Sequence, residues 1–112
     1  MIFHLVDAAG WALAIAAGEH RPASLGAEGF VHLSTRAQVL GTANRFFAGR
    51  TDLLLLHVDE ARLPGALRYE EGEPGQRFPH HYGPLPCQAV VRVVPLKPSA
   101  SGAFEDLGER EG

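Results

Sequence analysis

The sequence predicts an α+β fold, in which two helices pack on a split sheet of mixed or antiparallel strands. Short apolar runs typical of strands alternate with two segments of helical spacing in the first half of the chain. The second half contains further short strand-like runs, separated by glycine and proline, and no third helical pattern. No internal repeat interrupts this order.

The first strand and the first helix meet at an acidic residue. The apolar run 2–6 is predicted to be a strand, with His4 on the same face as the two ends of the run. Asp7 is a suitable N-cap for a helix through Ala17, where a glycine follows as the stop. The segment 19–29, which contains one proline and two glycines, is predicted to be a loop.

The second strand, over residues 30–34, leads directly into the second helix. Thr35 and Gln38 have the spacing of a capping box, which predicts a helix from this point to about Ala48. The apolar residues of this helix recur at helical spacing, and packing in the core explains them.

The remaining elements are shorter and are separated by turns. Residues 52–58 are apolar on both faces and predict a central strand that is covered on both sides. A brief strand is expected at 67–70 and a flexible loop at 71–77, followed by a stiff connection at a sheet edge or end over 78–86, where prolines remove ladder donors. The last strand is expected at 87–96, with its odd-numbered residues on one face.

Length and composition predict one small domain. With 112 residues, 46% of them apolar, we expect a single domain over 1–97 and a disordered tail over 98–112, where Ser, Gly and acidic residues dominate. The net charge of −3 argues against general nucleic-acid binding, which requires clustered basic residues. The single Cys87 fits a reducing compartment, and no signal peptide or membrane span is apparent, so we expect a cytoplasmic protein.

Histidines in unusual places are the strongest indication of a site. His4 and His32 each lie in a short, otherwise apolar strand, and His80 lies in the proline-rich segment. Each alone is explained by a core histidine with satisfied nitrogens. Together they favour one convergent site, with His4 and His32 facing the same cleft. His20 and His57 are explained better by a structural or exposed position.

Further candidates follow from the neighbours of these histidines. Phe30 and Ser34 share the strand face of His32, which places a ring and a hydroxyl beside the imidazole. His80 and His81 should point in different directions, so only one can join the site. Tyr82 either stacks on a ligand or closes the core. Of Glu70, Glu71 and Glu73, only Glu70 is a candidate site carboxylate, because a solvated acidic turn explains the other two.

Several common site chemistries have no motif in this sequence. No CxxC pair or HxxxH spacing occurs, so a zinc site could arise only from dispersed His4, His32 and His80 or His81, and we expect no metal. No phosphate-cradling glycine motif and no GxSxG elbow are present.

The motif order resembles a known family. The sequence Ile-Phe-His near the start, Trp11, Gly-Phe-Val-His-Leu-Ser-Thr, the leucine strand, Tyr-Glu and Phe-Pro-His-His-Tyr-Gly-Pro-Leu are similar to the bacterial and plant domain of unknown function 952, over about residues 1–96. The resemblance implies an ADP-ribosyltransferase-like fold, a split pair of small antiparallel sheets with a cleft for NAD between them.

The resemblance also implies roles for the candidate residues. A first-strand histidine, here His4, bonds the ribose of the nicotinamide half, and His32 with Ser34 is similar to the His-Leu-Ser segment of the tRNA 2′-phosphotransferase branch. The third motif departs from the family pattern, because no glutamate lies in a clear strand there. His80, Tyr82 or Glu70 are the residues left for that role. The RNA-binding domain and basic residues of that branch are absent from this sequence.

Two classes of function remain open on these grounds. The first is an enzyme that transfers or hydrolyses ADP-ribose from NAD, or that acts on a related phosphorylated nucleotide. The second is a non-catalytic module that binds a nucleotide or small metabolite, and a metal hydrolase is a weaker third. The candidate catalytic residues are His4, His32 and His80. The candidate ligand-binding residues are Phe30, Ser34, Glu70 and Tyr82.

Overall fold

A computed structural model describes residues 1–107 as eight strands and three α-helices. The strands are β1 (Ile2–Asp7), β2 (Glu19–His20), β3 (Val31–His32), β4 (Leu53–Val58), β5 (Ala66–Glu73), β6 (Gln76–Tyr82), β7 (Leu85–Pro86) and β8 (Val90–Pro95). The helices are α1 (Ala8–Ala17), α2 (Ala23–Glu28) and α3 (Val39–Phe47). Short 3₁₀ helices span Glu60–Arg62 and Cys87–Ala89.

The strands form three separate antiparallel sheets, in the orders β1-β4-β8, β2-β7 and β3-β6-β5. The α+β class and the split antiparallel sheet of the prediction are therefore confirmed. Strand β4 is central, as predicted from its continuous run of leucines. Two apolar clusters cover its faces, one around Leu53 and Leu55 and the other around Leu56 and Val58.

Local capping places α1 as the sequence predicts. The Asp7 carboxylate accepts a hydrogen bond of 2.6 Å from the Gly10 N–H, which satisfies one of the free donors at the helix start. Gly18 ends the helix with φ 84°, and its N–H donates to the Ala14 carbonyl oxygen. Cap and stop both lie within four residues of their partners, so local sequence determines them.

Helix α3 is a shorter version of the predicted helix. The Gln38 side-chain oxygen accepts the Thr35 N–H at 3.0 Å, which is half of the predicted capping box. Turns occupy residues 36–38, and regular α-helix begins only at Val39. Val39 and Ala43 are buried against the cluster that covers one face of β4.

The predicted loop over 19–29 is wrong, and the number of helices is three instead of two. Strand β2 pairs with β7, and α2 starts directly after Pro22. Gly29, with φ 87°, ends this helix. A helix of six residues is too short to show an apolar period, so its signals were proline and glycine alone, which also favour loops.

The segments predicted as a flexible loop (71–77) and a stiff edge connection (78–86) are also different. They form the hairpin β5–β6, whose turn contains Gly75 at φ 79°. β6 is the middle strand of its sheet despite containing Pro79. The proline is tolerated because β3 pairs only through residues 31 and 32, while the Pro79 carbonyl still accepts the Leu33 N–H at 3.0 Å.

The end of the chain departs from prediction in two ways. The last strand starts at Val90 instead of 87, and Val91 and Val93 face outward, because β8 is an edge strand that buries Val94. Residues 98–107, expected to be disordered, pack on the core through Phe104, which is 2% exposed. The rest of the predicted tail, 108–112, lies outside the described residues. In residues 1–107 no helix is long and apolar enough to cross a membrane.

Candidate functional site

A cavity of about 500 Å³ lies between β1, β3, α3 and the β5–β6 hairpin. Its volume is in the range of small-molecule sites. Phenylalanines form much of the apolar wall, namely Phe3, Phe46, Phe47 and Phe78. The polar and charged residues of the wall are His4, Glu28, His32, Ser34, Thr42, Arg45, Glu73 and His80.

A short junction between two sheets brings the first two histidines together. Phe3 and Ser34 exchange backbone hydrogen bonds of 2.8 Å in each direction, which joins β1 to the segment after β3. His4 directly follows Phe3 in the chain, and His32 lies two residues before Ser34. Both residues line the cavity.

His4 is held as a neutral imidazole. Its Nδ1 lies 2.7 Å from the His32 carbonyl oxygen, and because a carbonyl only accepts, Nδ1 carries the proton. Nε2 is therefore the unprotonated nitrogen of the neutral ring. Burial, followed by the nearby His20, lowers the pKa of His4 to about 4.

His32 and Ser34 have different surroundings. The His32 Nε2 lies 3.1 Å from a carboxylate oxygen of Glu28, and its side chain is half exposed. Ser34 is buried, and its hydroxyl lies 3.3 Å from the Thr42 hydroxyl. The Thr42 proton is used on the Gln38 carbonyl oxygen, so Ser34 is the donor in the serine–threonine pair.

His80 is paired with the carboxylate of Glu70 on the β5–β6 hairpin. Its Nδ1 lies 3.0 Å from Glu70 Oε1, and the Tyr82 hydroxyl donates to the same oxygen at 2.5 Å. Phe30 stacks on the His80 ring, with centroids 4.0 Å apart and 15° between planes. The tyrosine hydrogen bond, and then that of His80, hold the pKa of Glu70 below its usual range.

The seven candidate residues thus fall into two layers. The wall of the cavity contains His4, His32, Ser34 and His80. Phe30, Glu70 and Tyr82 are not in the wall but contact the His80 ring or its carboxylate partner. Their roles as ligand-binding or catalytic residues stay predictions. Tyr82 in particular contacts Glu70 and Phe30, so its ring supports the wall.

Three charged residues of the wall were missed from the sequence. Glu28 lies in the segment predicted as a loop, and Glu73 was assigned to a solvated turn. Arg45 lies on α3 and forms an ion pair with Glu73, which also lines the cavity. Only its spacing of three residues from Thr42 on one helix could have indicated a shared face.

His81 is a structural histidine, and it points away from His80 as predicted. Its Nε2 accepts the Gly65 N–H at 3.0 Å, and its Nδ1–H donates to the Gly83 carbonyl oxygen at 3.0 Å. Burial lowers the pKa of His81. A side chain at Gly65 would place Cβ 2.8 Å from this ring, so the close approach requires glycine there.

The other two histidines are buried and lie outside the cavity wall. His20 lies in β2, with its ring centroid 5.1 Å from that of His4. His57 lies in β4 and packs edge-on against Phe3. Across residues 1–107, no group of three or more His, Cys, Asp or Glu side chains has an arrangement that could hold a metal ion.

Comparison with solved structures identifies the same fold in a bacterial protein. The crystal structure of protein CC0527 from Caulobacter crescentus is 36% identical, with a TM-score of 0.85, and the match covers 93% of this chain and 92% of that one. A crystal structure of a double mutant of that protein matches equally well, at 35% identity and a TM-score of 0.85. Its solution NMR structure has 36% identity and a TM-score of 0.81, covering 93% and 90% of the two chains.

The sequence comparisons agree with this likeness. No curated protein matches the chain. The family described as "Protein of unknown function (DUF952)" matches residues 5–93, which is most of the chain and includes the second half of β1, all of β3 and the β5–β6 hairpin. The chain therefore belongs to the DUF952 family of proteins of unknown function.

Proposed function

We propose that the cavity binds a phosphorylated nucleotide, with NAD as the first candidate, and that the chain transfers or hydrolyses its ADP-ribose group. The observation that carries this proposal is the convergence of His4, His32 and His80 on one cavity of about 500 Å³. The split antiparallel sheets on either side of the cavity support an ADP-ribosyltransferase-like assignment. The single cysteine favours a cytoplasmic location.

The apolar wall suits the flat ring of a nucleotide base or nicotinamide. Phe46 and Phe78 both line the cavity, and Phe46 is 65% exposed. Aromatic rings stack on planar ligands at centroid distances that an open cavity wall permits. Polar contacts would then come from neighbouring groups, including the half-exposed His32 imidazole.

The phosphates of such a ligand would meet Arg45. This guanidinium is paired with Glu73, and the pair lies at the surface, where an ion pair contributes little. A phosphate could replace the Glu73 carboxylate and form the bidentate contact that arginine favours. We therefore expect nucleotides to bind more tightly than the corresponding nucleosides.

The positive charge that develops on the ribosyl group needs a carboxylate other than Glu70. Glu70 is turned to His80 and Tyr82 and is not in the wall. Glu28 and Glu73 are the carboxylates that line the cavity. Because Glu28 also contacts the His32 ring, a developing oxocarbenium ion beside His32 would lie close to a negative charge.

Titration of ¹⁵N-labelled protein with NAD, ADP-ribose, AMP and adenosine tests the binding proposal. We expect NAD and AMP to shift the amide signals of residues 28–34 and 72–80, and adenosine to shift them less. Arg45→Gln should weaken the binding of AMP more than the binding of adenosine. Leu13→Ala changes an exposed residue of α1 away from the cavity and should alter neither affinity. If none of the four ligands moves these signals, the nucleotide proposal is wrong.

Turnover of NAD separates the enzyme from the non-catalytic module. Incubation with NAD, with and without a chelator, should release nicotinamide at the same rate in both cases if no metal is needed. Binding with no release of nicotinamide would favour the binding module.

A further inference from the structure

The Glu70–His80 pair has an arrangement that the binding proposal does not use. Strand β6 places His80 opposite Arg68 of β5, so Glu70, two residues further along β5, lies diagonally across on the same face of the hairpin. The carboxylate accepts from His80 Nδ1 at 3.0 Å and from the Tyr82 hydroxyl at 2.5 Å. Since an ionised carboxylate only accepts, Nδ1 carries the proton and Nε2 of the neutral ring has the free lone pair.

The free nitrogen has no partner. The His80 side chain is only 5% exposed, and its Nε2 is buried. This nitrogen makes no hydrogen bond within residues 1–107. A buried polar atom without a partner costs about 1–3 kcal/mol, and native structures keep few of them. A group supplied from the cavity, which His80 helps to line, would satisfy it.

Two aromatic contacts hold the ring and control access to it. Phe30 covers one face of the imidazole at 4.0 Å, which fixes its plane. His32 lies edge-on to the same ring, with centroids 5.1 Å apart, and its own side chain is half exposed. A rotation of the half-exposed His32 side chain away from its present contacts with Glu28 and the His80 ring would admit a ligand to His80 without a change in the hairpin.

We propose that His80 is a general base for a hydroxyl-bearing acceptor or water, and that Glu70 and Tyr82 are its positioning residues. The carboxylate fixes the tautomer that leaves Nε2 unprotonated and faces the positive charge that forms on the ring. The tyrosine hydroxyl fixes the carboxylate in turn. The inference rests on the proposed function for its substrate, the ribosyl group of NAD.

The step is balanced in atoms and charge. The acceptor O–H gives its proton to His80 Nε2, and the oxygen lone pair forms a bond to the ribosyl C1′. The C1′–N bond breaks, and its electron pair passes to the pyridinium nitrogen, so nicotinamide leaves as a neutral molecule. The proton on Nε2 then passes to solvent, which restores the neutral ring.

The charged groups around His80 decide how its role depends on pH. From β5 it faces Glu70 and, more distantly, Arg68, whose guanidinium lies over the Tyr82 ring at 5.2 Å. From β3 it faces His32, which is itself in contact with Glu28. A variant that removes the Glu70 charge should therefore change the pH–rate profile and not only the rate.

The test measures nicotinamide release from NAD across pH 5 to 9 for four variants. His80→Ala should lose roughly 10²–10⁴ of the rate, the usual effect of a general base. Glu70→Gln should lose ~10-fold or more and move the acid limb of the profile to lower pH, because the imidazolium loses its counter-charge. Tyr82→Phe should lose less. Glu71→Gln, an exposed carboxylate on the same strand, should leave rate and profile unchanged.

Two further measurements keep folding and binding apart from chemistry. NMR of the His80 ring nitrogens should show a protonated Nδ1 and an unprotonated Nε2, and amide spectra should show that each variant is folded. Wild-type rates in folded His80→Ala and Glu70→Gln would overturn the base assignment alone. NAD binding without any turnover would overturn the base assignment and the proposed reaction, and would leave the binding proposal standing. Failure of NAD to bind at all would overturn the proposed function and the base assignment together.

Discussion

His4 donates its Nδ1–H to the main-chain carbonyl oxygen of His32 at 2.7 Å, across the boundary between two sheets. This bond and the Phe3–Ser34 bridge connect the sheet that contains β1 to the segment that contains β3. A protonated His4 could keep this hydrogen bond, but its charge would be buried beside a second histidine. Acid should therefore destabilise the folded chain through the buried charge on His4, and not through loss of this hydrogen bond.

We expect the chain to lose stability as pH falls from 6.5 to 4. The pKa of His4 is about 4 in the folded chain and 6.5 in the unfolded chain, so the unfolded chain binds more protons in this range. The stability from His4 is complete above pH 6.5, and about 3 kcal/mol is lost by pH 4. The lowered pKa values of His20 and His81 act in the same direction.

Urea denaturation at pH 7, 5.5 and 4.5 measures this loss. His4→Gln removes one titrating group, so its free energy of unfolding should depend less steeply on pH, although it is lower at pH 7. An identical pH dependence in wild type and His4→Gln would contradict the assignment to His4.

His32→Ala should affect ligand binding or turnover more than stability. Its ring is half exposed, so removing it should change the free energy of unfolding by only about 0.5 kcal/mol, as at other surface positions. His57→Ala, in contrast, removes a buried ring packed on Phe3 and should cost about 2 kcal/mol. Melting temperature and NAD turnover, taken on both variants, check the contrast. Equal turnover, with His32→Ala the less stable variant, would make His32 a structural residue.

Gly72→Ala should disturb the cavity from the hairpin side. A Cβ at Gly72 would lie 2.7 Å from Phe78 Cδ1, so the ring must move, and Phe78 lines the cavity. We expect about 1–3 kcal/mol of destabilisation and weaker nucleotide binding. Gly26→Ala is the matched control, since a Cβ there meets no atom within 4 Å and should slightly stabilise α2. Unchanged Phe78 ring signals in Gly72→Ala would refute the clash.

Phe104→Ala should destabilise the domain by about 3–5 kcal/mol, as expected for a buried phenylalanine. Phe104 is 2% exposed and belongs to the apolar cluster around Leu53 and Leu55. Its N–H donates to the Asn44 side-chain oxygen at 2.6 Å, and its carbonyl oxygen accepts from the Asn44 side-chain nitrogen at 2.9 Å. Truncation after Lys97 should cost at least as much. Urea denaturation checks both variants against Glu105→Ala, an exposed neighbour expected to change stability by less than about 0.5 kcal/mol. A truncated chain as stable as the full one would show that the tail is dispensable.

The sequence correctly predicted the elements whose signals are local. The Asp7 cap, the Gly18 stop and the Thr35–Gln38 interaction each join residues no more than four positions apart. The central position of β4 follows from a run that is apolar on both faces. Local propensity and hydrophobic pattern are sufficient to predict these features, because they do not depend on distant partners.

The hairpin and the tail were missed because distant partners stabilise them. Residues 71–86 contain four prolines and three glycines, and their local preference is for loops. Pairing of β6 with both β5 and β3 overrides that preference. Phe104 lies in a segment that is mostly Ser, Gly and acidic residues, and only the cluster around α3 and β4 makes its burial favourable.

For the candidate site, the sequence by itself determined which histidines stand out from an apolar pattern, and with them the family. The tertiary structure alone decided that His4, His32 and His80 share one cavity wall, that Glu70 faces His80 instead of the cavity, and that Glu28 and Arg45 are in the wall. The physical reason is that side-chain alternation gives a face within one strand, whereas convergence depends on how the β1-β4-β8 and β3-β6-β5 sheets pack against each other. That packing is set by long-range contacts that no window of sequence contains.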